Sequence, residues 1–352
     1  MPNRKTKKLT IKDVAQILNV STATVSNAFN RPDQLSEALR EKILSECKRI
    51  GYIGPSAAGR NLRTGRSGVV GVVLSDSLAY SMSDYVASHF LAGVAEILDE
   101  AQLHMLLLSA RDMDESTRQH MHESMVDGYI AYGMMGIGRT YEHLVRQQKR
   151  LVLVDTDMEG YSSININNFD AAYEVAIHAL KQPSPHLAVL GLRITDYPRI
   201  SRLTPEDIEG LPSSISADRL QGYLKACQET GTELLPERIW NVPLNTHRWA
   251  HQAAREALST LPRPDLLLCQ SDVIAMAALQ VAYQMGLRVP EDLRIVGFDG
   301  VPEAQNLHPS ITTIQQHSTE KGRRAAKLFL DADAEVEKLI LPTDLVVGES
   351  CP

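Results

Sequence analysis

The sequence predicts a small all-α head followed by an α/β body of two doubly wound lobes. Residues 10–51 show the periodicity of short amphipathic helices, whereas from Gly68 onward short apolar runs alternate with amphipathic helical stretches. The charge changes at the same place. Residues 1–66 hold 13 Lys and Arg against 5 Asp and Glu, while the remainder holds 23 against 38. A basic end on an acidic body is typical of a protein that binds a polyanion at that end.

The bulk properties limit the class of protein. A chain of 352 residues, 43% of them hydrophobic, is too long for one ordinary core and predicts two or three domains. No run of about 18 apolar residues could span a membrane, and the basic first residues lead into an amphipathic pattern rather than an export signal. The four widely spaced cysteines are typical of reduced thiols. We therefore expect a cytoplasmic protein that does not contact the membrane.

Two short helices are predicted in the head. Thr10 is placed to cap a helix with apolar residues at 11, 14, 15 and 18, and Ser21 is placed to cap a second helix over 22–29. The turn between them is too tight for antiparallel packing, so the helices must cross as in a helix-turn-helix. A third helix is predicted from Ser36 to Gly51, and its helical spacing assigns these residues to the core: Leu39, Ile43, Leu44, Cys47 and Ile50.

The outward face of the second helix is unusual for a solvated surface. It consists of Thr22, Ala23, Ser26, Asn27 and Asn30, without Lys or Glu. Short side chains fit the major groove of DNA, and amides and hydroxyls can read base edges there. We therefore predict a DNA-reading helix, with a small bundle lacking any nucleic-acid role as the alternative.

The body is predicted from its alternating pattern. The strands are expected at 69–74, 104–108, 128–132, 151–154, 187–190, 266–269 and 293–298, and the clearest helices at 84–100, 217–230, 247–260 and 272–286. Ligands in such folds bind beyond the carboxyl ends of the strands. The long stretch 193–217 contains three prolines and could shape such a site, but its conformation is not predictable from the pattern.

Two segments of the head carry a family resemblance. The runs Thr10–Ala15 and Asn19–Asn30 resemble the N-terminal signature of the LacI/GalR family of bacterial transcriptional regulators. The resemblance implies that Thr22, Ala23 and Asn27 face bases. It also implies that five residues contact phosphate or hold the motif together: Thr10, Ser21, Thr24, Ser26 and Asn30. Many members have Arg at the position of Asn27. Since an amide prefers adenine and Arg prefers guanine, we expect a departure from the usual half-site there.

The segment 55–66 resembles the hinge helix of the same family. Its helix-compatible core would be marginal alone in water, which suits an element that folds against a partner. The resemblance implies that Leu62 inserts into the minor groove, and that Ala58 and Arg60 lie at the same DNA contact. Gly59 stands where most relatives have Ala, at a cost of about 0.5–1 kcal/mol in a helix.

The resemblance continues over the whole body, where it implies a periplasmic-binding-protein-like fold. Lobe one would comprise about 67–166 and 318–341, and lobe two about 167–315 and 343–352, with three crossings of the chain between them. Motif positions imply four residues in contact with an effector: Asp170, Arg219, Ser271 and Asp299. Ser75 and Tyr80, in the loop after the first strand, are two further candidates. Aspartate, arginine, serine and tyrosine together suit a polyol such as a sugar, whose hydroxyls both donate and accept.

The sequence therefore predicts a homodimeric, effector-responsive repressor that binds operator DNA and needs no cofactor. An enzyme is disfavoured because the chain contains neither a dinucleotide-binding nor a phosphate-loop motif. His247 and His251 share a helix face but lack a third metal ligand, so we interpret them as surface residues. A solute-binding protein without specific DNA binding remains the second hypothesis, which the basic head disfavours.

Overall fold

The computed structural model describes residues 9–54, 66–111, 125–133, 138–331, 333 and 335–352. The chain forms two compact units, a head of Met1–Gly68 with Met125–Asp127 and a body of Val69–Ser124 with Gly128–Pro352. The predicted hinge contacts Ala58, Arg60 and Leu62 lie outside the described residues.

The head contains three α-helices within its described residues: α1 (Ile11–Ile17), α2 (Thr22–Asn30) and α3 (Glu37–Arg49), with a 3₁₀ turn at Pro32–Gln34. The predicted caps are confirmed. The Asp13 N–H donates to Thr10 Oγ1 and the Thr10 N–H donates back to Asp13 Oδ2, and the Thr24 N–H donates to Ser21 Oγ at 2.9 Å. These bonds satisfy amide groups that would otherwise lack partners at the start of each helix.

The three helices share one small apolar core. It is built from Val14, Ala15, Val25, Ala28, Ile43, Cys47 and Tyr52. Leu39 differs from the prediction, since it is 36% exposed. It lies one turn before Ile43, where α3 has not yet reached the core. Phe29 packs edge-on against Tyr52 at 5.9 Å between ring centroids, and this contact closes the core beside α2.

The body alternates strands and helices, as predicted. Its described strands are β1 (Val69–Leu74), β2 (His104–Ser109), β3 (Gly128–Tyr132), β4 (Arg150–Val154), β5 (Ser162–Ile166), β6 (Leu187–Leu192), β7 (Ser201–Arg202), β8 (Ile239–Val242), β9 (Leu266–Cys269), β10 (Arg294–Val296), β11 (Thr313–Gln315), β12 (Lys338–Leu341) and β13 (Asp344–Val346).

The helices of the body cover the faces of these strands. They are α4 (Leu78–Ser83), α5 (Tyr85–Glu100), α6 (Gly138–Arg146), α7 (Asn168–Ala179), α8 (Pro205–Glu209), α9 (Ile215–Thr230), α10 (His247–Ser259), α11 (Asp272–Gln284), α12 (Pro302–Gln305) and α13 (Ser318–Leu330), with a 3₁₀ turn at Pro236–Arg238. Within the described part of the chain, none of these helices is long and apolar enough to cross a bilayer.

The strands form two main sheets, and we name the two lobes after them. Lobe one is built on a sheet of order β12-β5-β4-β3-β1-β2 in which all pairs are parallel. Lobe two is built on a sheet of order β10-β9-β6-β8-β7, in which only the edge strand β7 is antiparallel. The small antiparallel pair β11-β13 adjoins lobe two through bridges beside β10.

The chain passes between the lobes three times. It leaves lobe one after β5 and enters α7, returns between β11 and α13, and crosses again between β12 and β13. Parallel sheets place the carboxyl ends of their strands at one edge, so residues that follow these strands meet where the lobes face each other.

Two glycines set the position of α13 in lobe one. A Cβ on Gly93 of α5 would collide with the Thr319 carbonyl, and a Cβ on Gly322 of α13 would collide with the Phe90 carbonyl. The two helices therefore pack backbone against backbone. This close packing holds Lys321, which is 1% exposed, next to the crossing segments.

Candidate functional site

The surface of α2 presents the residues expected to read DNA. Thr22 and Ala23 are exposed and Asn27 is half-buried on the same side of the helix. The neighbouring polar residues hold the helix itself: the Ser21 and Thr24 hydroxyls are hydrogen-bonded at 2.7 Å, and Asn30 Nδ2 donates to the Ser26 carbonyl at 3.0 Å. Thr10 is engaged in the capping box of α1. The helix therefore offers a short polar face on a rigid support.

A cavity of about 530 Å³ lies in the body between the two lobes. Four of the six predicted effector contacts line it: Ser75, Tyr80, Arg219 and Asp299. Ser271 lies just behind the wall, where its hydroxyl donates to Asn245 Oδ1 at 2.6 Å and so orients an amide that does line the cavity.

The structure places Asp170 outside the cavity. It is exposed in the first turn of α7, and its carboxylate accepts a hydrogen bond from Asn167 Nδ2. The residue of this helix that reaches the site is Asn168, whose Oδ1 accepts from Arg219 Nε at 3.0 Å. Asn168 therefore contacts a residue that lines the cavity, whereas Asp170 does not, and a contact between Asp170 and an effector stays a prediction.

Arg219 is held in one orientation by several partners. Its Nη1 donates to the Gln270 carbonyl at 2.7 Å and lies 3.5 Å from Asp299 Oδ1, and its guanidinium lies 3.6 Å from the centroid of the Phe298 ring. Arg219 is only 7% exposed. A planar, multiply bonded guanidinium in this setting is a preorganised donor for a ligand oxygen.

Asp299 forms a buried carboxyl pair with Asp272. Burial raises the pKa of Asp299 to about 7, although the Arg219 guanidinium opposes this shift. Burial and the Asp299 charge raise the pKa of Asp272 well above its usual value. The Thr313 hydroxyl donates to Asp272 Oδ1 at 2.6 Å and the Val301 N–H donates to Asp272 Oδ2 at 2.8 Å.

The backbone around this pair is adapted to it. Asp299 has a φ of 127°, a conformation that side-chain-bearing residues rarely adopt. A Cβ on Gly297 would collide with the Asp272 carboxylate, so only glycine leaves space for the buried pair. Strand β10 ends at Val296, two residues before the predicted end.

A buried polar chain links the lobes at the floor of the cavity. Gln316 Nε2 donates to Asp299 Oδ1 at 2.8 Å, and Lys321 Nζ donates to Gln316 Oε1 at 3.0 Å and to Asp155 Oδ1 at 2.7 Å. Asp155 belongs to lobe one and Asp299 to lobe two, whereas Gln316 lies in a crossing segment. The chain therefore connects one carboxylate of each lobe through a continuous series of buried polar contacts.

Side chains of the two lobes contact each other at the rim of the cavity. Arg193 donates to both carboxylate oxygens of Asp76, at 2.9 and 3.1 Å, and its guanidinium lies 5.5 Å from the centroid of the Tyr80 ring. Asn245 Nδ2 donates to Asp84 Oδ2 at 3.1 Å, and the Tyr80 hydroxyl lies 3.4 Å from the same oxygen.

Sequence reasoning did not single out several of these residues. Asp76 and Arg193 follow β1 and β6 within two residues, so the rule that ligands bind beyond strand ends could have identified both. Asn245, Gln316 and Lys321 carry no comparable signal. The stretch 193–217 does line the cavity, mainly through residues 212–216.

Comparison with known proteins agrees with this architecture. Residues 10–54 match the lacI family of bacterial regulatory proteins, and residues 199–351 match the periplasmic binding protein-like domain. The transcriptional regulator CelR, solved in complex with cellobiose, superposes with a TM-score of 0.68 at 24% identity, covering 97% of this chain and 99% of that chain. The predicted fold class is confirmed.

Full-length relatives establish the family. The HTH-type transcriptional regulator Rv3575c of Mycobacterium tuberculosis is 34% identical over 98% of this chain and 97% of its own length. The HTH-type transcriptional repressor CytR of Escherichia coli is 29% identical over 92% of this chain and 89% of its own length. The chain therefore belongs to the lacI family of bacterial regulatory proteins, and it is a DNA-binding transcriptional regulator.

Proposed function

We propose that this regulator is a repressor whose affinity for its operator is set by a small polyhydroxy effector, such as a sugar, bound between the two lobes. The observation that carries the proposal is the pairing of buried donors and acceptors in one cavity, Arg219 beside Asp299. Adjacent hydroxyls of a polyol can satisfy both kinds of group at once. The cavity volume of about 530 Å³ lies within the range of small-molecule sites.

Relatives support both halves of this proposal. CytR is a repressor by name, and CelR was solved with the disaccharide cellobiose. The cavity of this chain lies between lobes connected by three crossings of the chain, so a ligand that contacts both walls favours one arrangement of the lobes over others. We infer a homodimer in which this arrangement controls how the two hinge segments engage DNA, with the two heads on a near-palindromic operator.

The direct test is footprinting of the full chain on DNA from upstream of its own gene. Reactions with and without a panel of unphosphorylated sugars, sugar alcohols and nucleobases should show protection of a near-palindromic site, and one polyol should change that protection. Absence of sequence-specific binding in every ligand state would overturn the proposal and favour a solute-binding protein. Protection altered only by a nucleobase would refute the polyol but retain the regulator.

The hinge prediction can be tested in the same assay. Leu62→Ala should weaken binding to the protected site much more than binding to unrelated DNA, because a residue inserted between base steps contributes only where the duplex kinks. Arg66→Ala, which removes a charge at the end of the hinge segment, serves as the comparison and should weaken both kinds of binding to similar degrees. Similar losses on both DNAs for Leu62→Ala would show that this leucine is not a wedge.

A further inference from the structure

The charges that face the cavity are unevenly distributed. Five aspartates and two arginines line it among the described residues: Asp76, Asp84, Asp155, Asp196, Asp299, Arg193 and Arg219. A phosphate or carboxylate ligand needs a cation or a group of N–H donors that is not already engaged. Binding of such a ligand therefore depends on whether the guanidinium groups of Arg193 and Arg219 are free to contact it.

Both arginines lie beside a carboxylate, but only Arg193 is hydrogen-bonded to it. Arg193 grips Asp76 with two parallel hydrogen bonds across the rim, at 2.9 and 3.1 Å, the arrangement that it would otherwise offer to a phosphate. Arg219 lies 3.5 Å from Asp299 and is otherwise held by Asn168 and the Gln270 carbonyl. Lys321 lies behind the wall and is engaged by Asp155 and Gln316.

Two of the helix N-termini beside the cavity carry an acidic side chain of the protein. The first turn of a helix attracts anions through its unpaired N–H groups. At the start of α5, however, the Asp84 carboxylate accepts the Ala87 N–H at 2.9 Å. At the start of α11, Ser271 Oγ accepts the Ile274 N–H, and the Asp272 carboxyl group lies buried in the same turn. At these two helix starts, acidic side chains disfavour a bound anion. At the start of α9, which also lines the cavity, the Ser214 hydroxyl accepts the Ala217 N–H at 3.1 Å.

We propose that the cavity selects polyhydroxy compounds that carry no phosphate or carboxylate group, and that Asp76 enforces this selection at the rim by occupying Arg193. This inference rests on the proposed polyol effector and specifies its class. An anionic ligand that binds Arg193 would have to displace Asp76 and leave that carboxylate uncompensated beside the ligand charge. Selectivity of this kind comes from repulsion built against the wrong ligand rather than from added attraction to the right one.

The experiment uses the full chain and matched pairs of probes: aldoses, sugar alcohols and cyclitols, each with its monophosphate ester. Binding is measured by calorimetry. In the wild-type protein, the compound that binds should do so at least about 10-fold more tightly than its own phosphate ester. Asp76→Asn should lower this ratio by about 10-fold, because the substitution releases a guanidinium at the rim.

Two further variants separate this role from simple loss of charge. Asp196→Asn removes the same charge from the cavity wall without releasing an arginine, so it should change the ratio by less than about 3-fold. The double variant Asp76→Asn with Arg193→Gln should restore the discrimination lost in the single variant. Equal changes in the ratio for Asp76→Asn and Asp196→Asn would overturn the role of Asp76.

The outcomes also distinguish this inference from the proposed function. A phosphate ester that binds the wild-type protein as tightly as its parent compound or more tightly would overturn the inference and leave the effector cavity intact. If no compound of either set binds, the polyol effector fails and the inference fails with it.

Discussion

Helix α2 of the head and the cavity of the body are held in shape by opposite kinds of contact. Helix α2 spans nine consecutive residues, and the polar bonds that fix it join residues at most four positions apart. In the cavity, the corresponding bonds join residues 51 positions apart for Arg219 with Asn168, 117 for Arg193 with Asp76 and 166 for Lys321 with Asp155. The free-energy effects of substitutions in the helix should therefore add independently, whereas those of substitutions in the cavity should depend on one another.

The largest effect should come from the buried carboxyl pair of the cavity. Asp272→Ala should lower the free energy of unfolding by about 3 kcal/mol, because the Thr313 hydroxyl and the Val301 N–H both lose their buried acceptor. A urea titration of the full chain measures this. Asp170→Ala, also in the first turn of a helix but exposed, should cost less than about 1 kcal/mol. Similar losses for the two variants would show that the cluster is not cooperative.

The next effect concerns the affinity for the effector. Arg219→Lys should weaken binding of the polyol identified by footprinting about 10-fold or more, because an ammonium cannot keep the bonds to Asn168 and Gln270 together. The double variant Arg219→Lys with Asp299→Asn should lose less binding free energy for the polyol than the sum of the losses in the two single variants.

Arg294→Lys is the matched control for this arginine. Arg294 is equally buried, but its guanidinium donates to the carbonyls of Ala179, Gln182 and Pro183, outside the cavity. The substitution Arg294→Lys should lower the stability of the protein and leave its affinity for the polyol nearly unchanged. Strict additivity of Arg219→Lys and Asp299→Asn in calorimetry would contradict a coupled site.

A smaller effect is expected for the head. Asn27→Ala should cost about 1 kcal/mol of operator affinity and relax the preference at one base pair, because one amide contact is removed. Gel-shift titrations on the footprinted site and on single base-pair variants measure this. Ser45→Ala, exposed on α3, should have no effect. The losses of operator affinity for Asn27→Ala and Thr22→Ala should add within about 0.5 kcal/mol in the double variant. A marked excess over additivity would mean that α2 also behaves as a unit.

The smallest effect is the pH dependence of stability. Asp299 has a pKa of about 7 in the folded protein, above its unfolded value near 3.8, so the folded state binds more protons between these values. Its stabilising contribution is therefore complete below the unfolded pKa and is lost as the pH rises through 7. Between pH 6 and pH 7 the loss should be about 1 kcal/mol.

Urea titrations across this pH range provide the measurement, with Asp299→Asn as the comparison. The variant should show a shallower slope that does not vanish, since the pKa of Asp272 is raised in the same direction by burial. An identical slope in the wild-type protein and in Asp299→Asn would refute the assignment.

Much of the fold was predictable because local periodicity decides it. The caps Thr10 and Ser21 and the strands Gly128–Tyr132 and Leu266–Cys269 lie where the pattern placed them. Arg219 was found through a motif, and the structure places it in the cavity. Asp170 lies at the expected helix start but outside the cavity, because a motif position locates a helix start and does not determine which side chain of that turn faces the cavity.

What the sequence determined by itself is everything that depends on neighbours within about one helical turn: the caps, the amphipathic faces, the polar surface of α2 and the alternation of strands and helices. Only the tertiary structure decided that Asp76 holds Arg193, that Asp299 lies against Asp272, and that Gln316 and Lys321 join the lobes. The physical reason is that these contacts are made between strand ends far apart in the chain. Their geometry depends on how the sheets pack, and no local pattern encodes it.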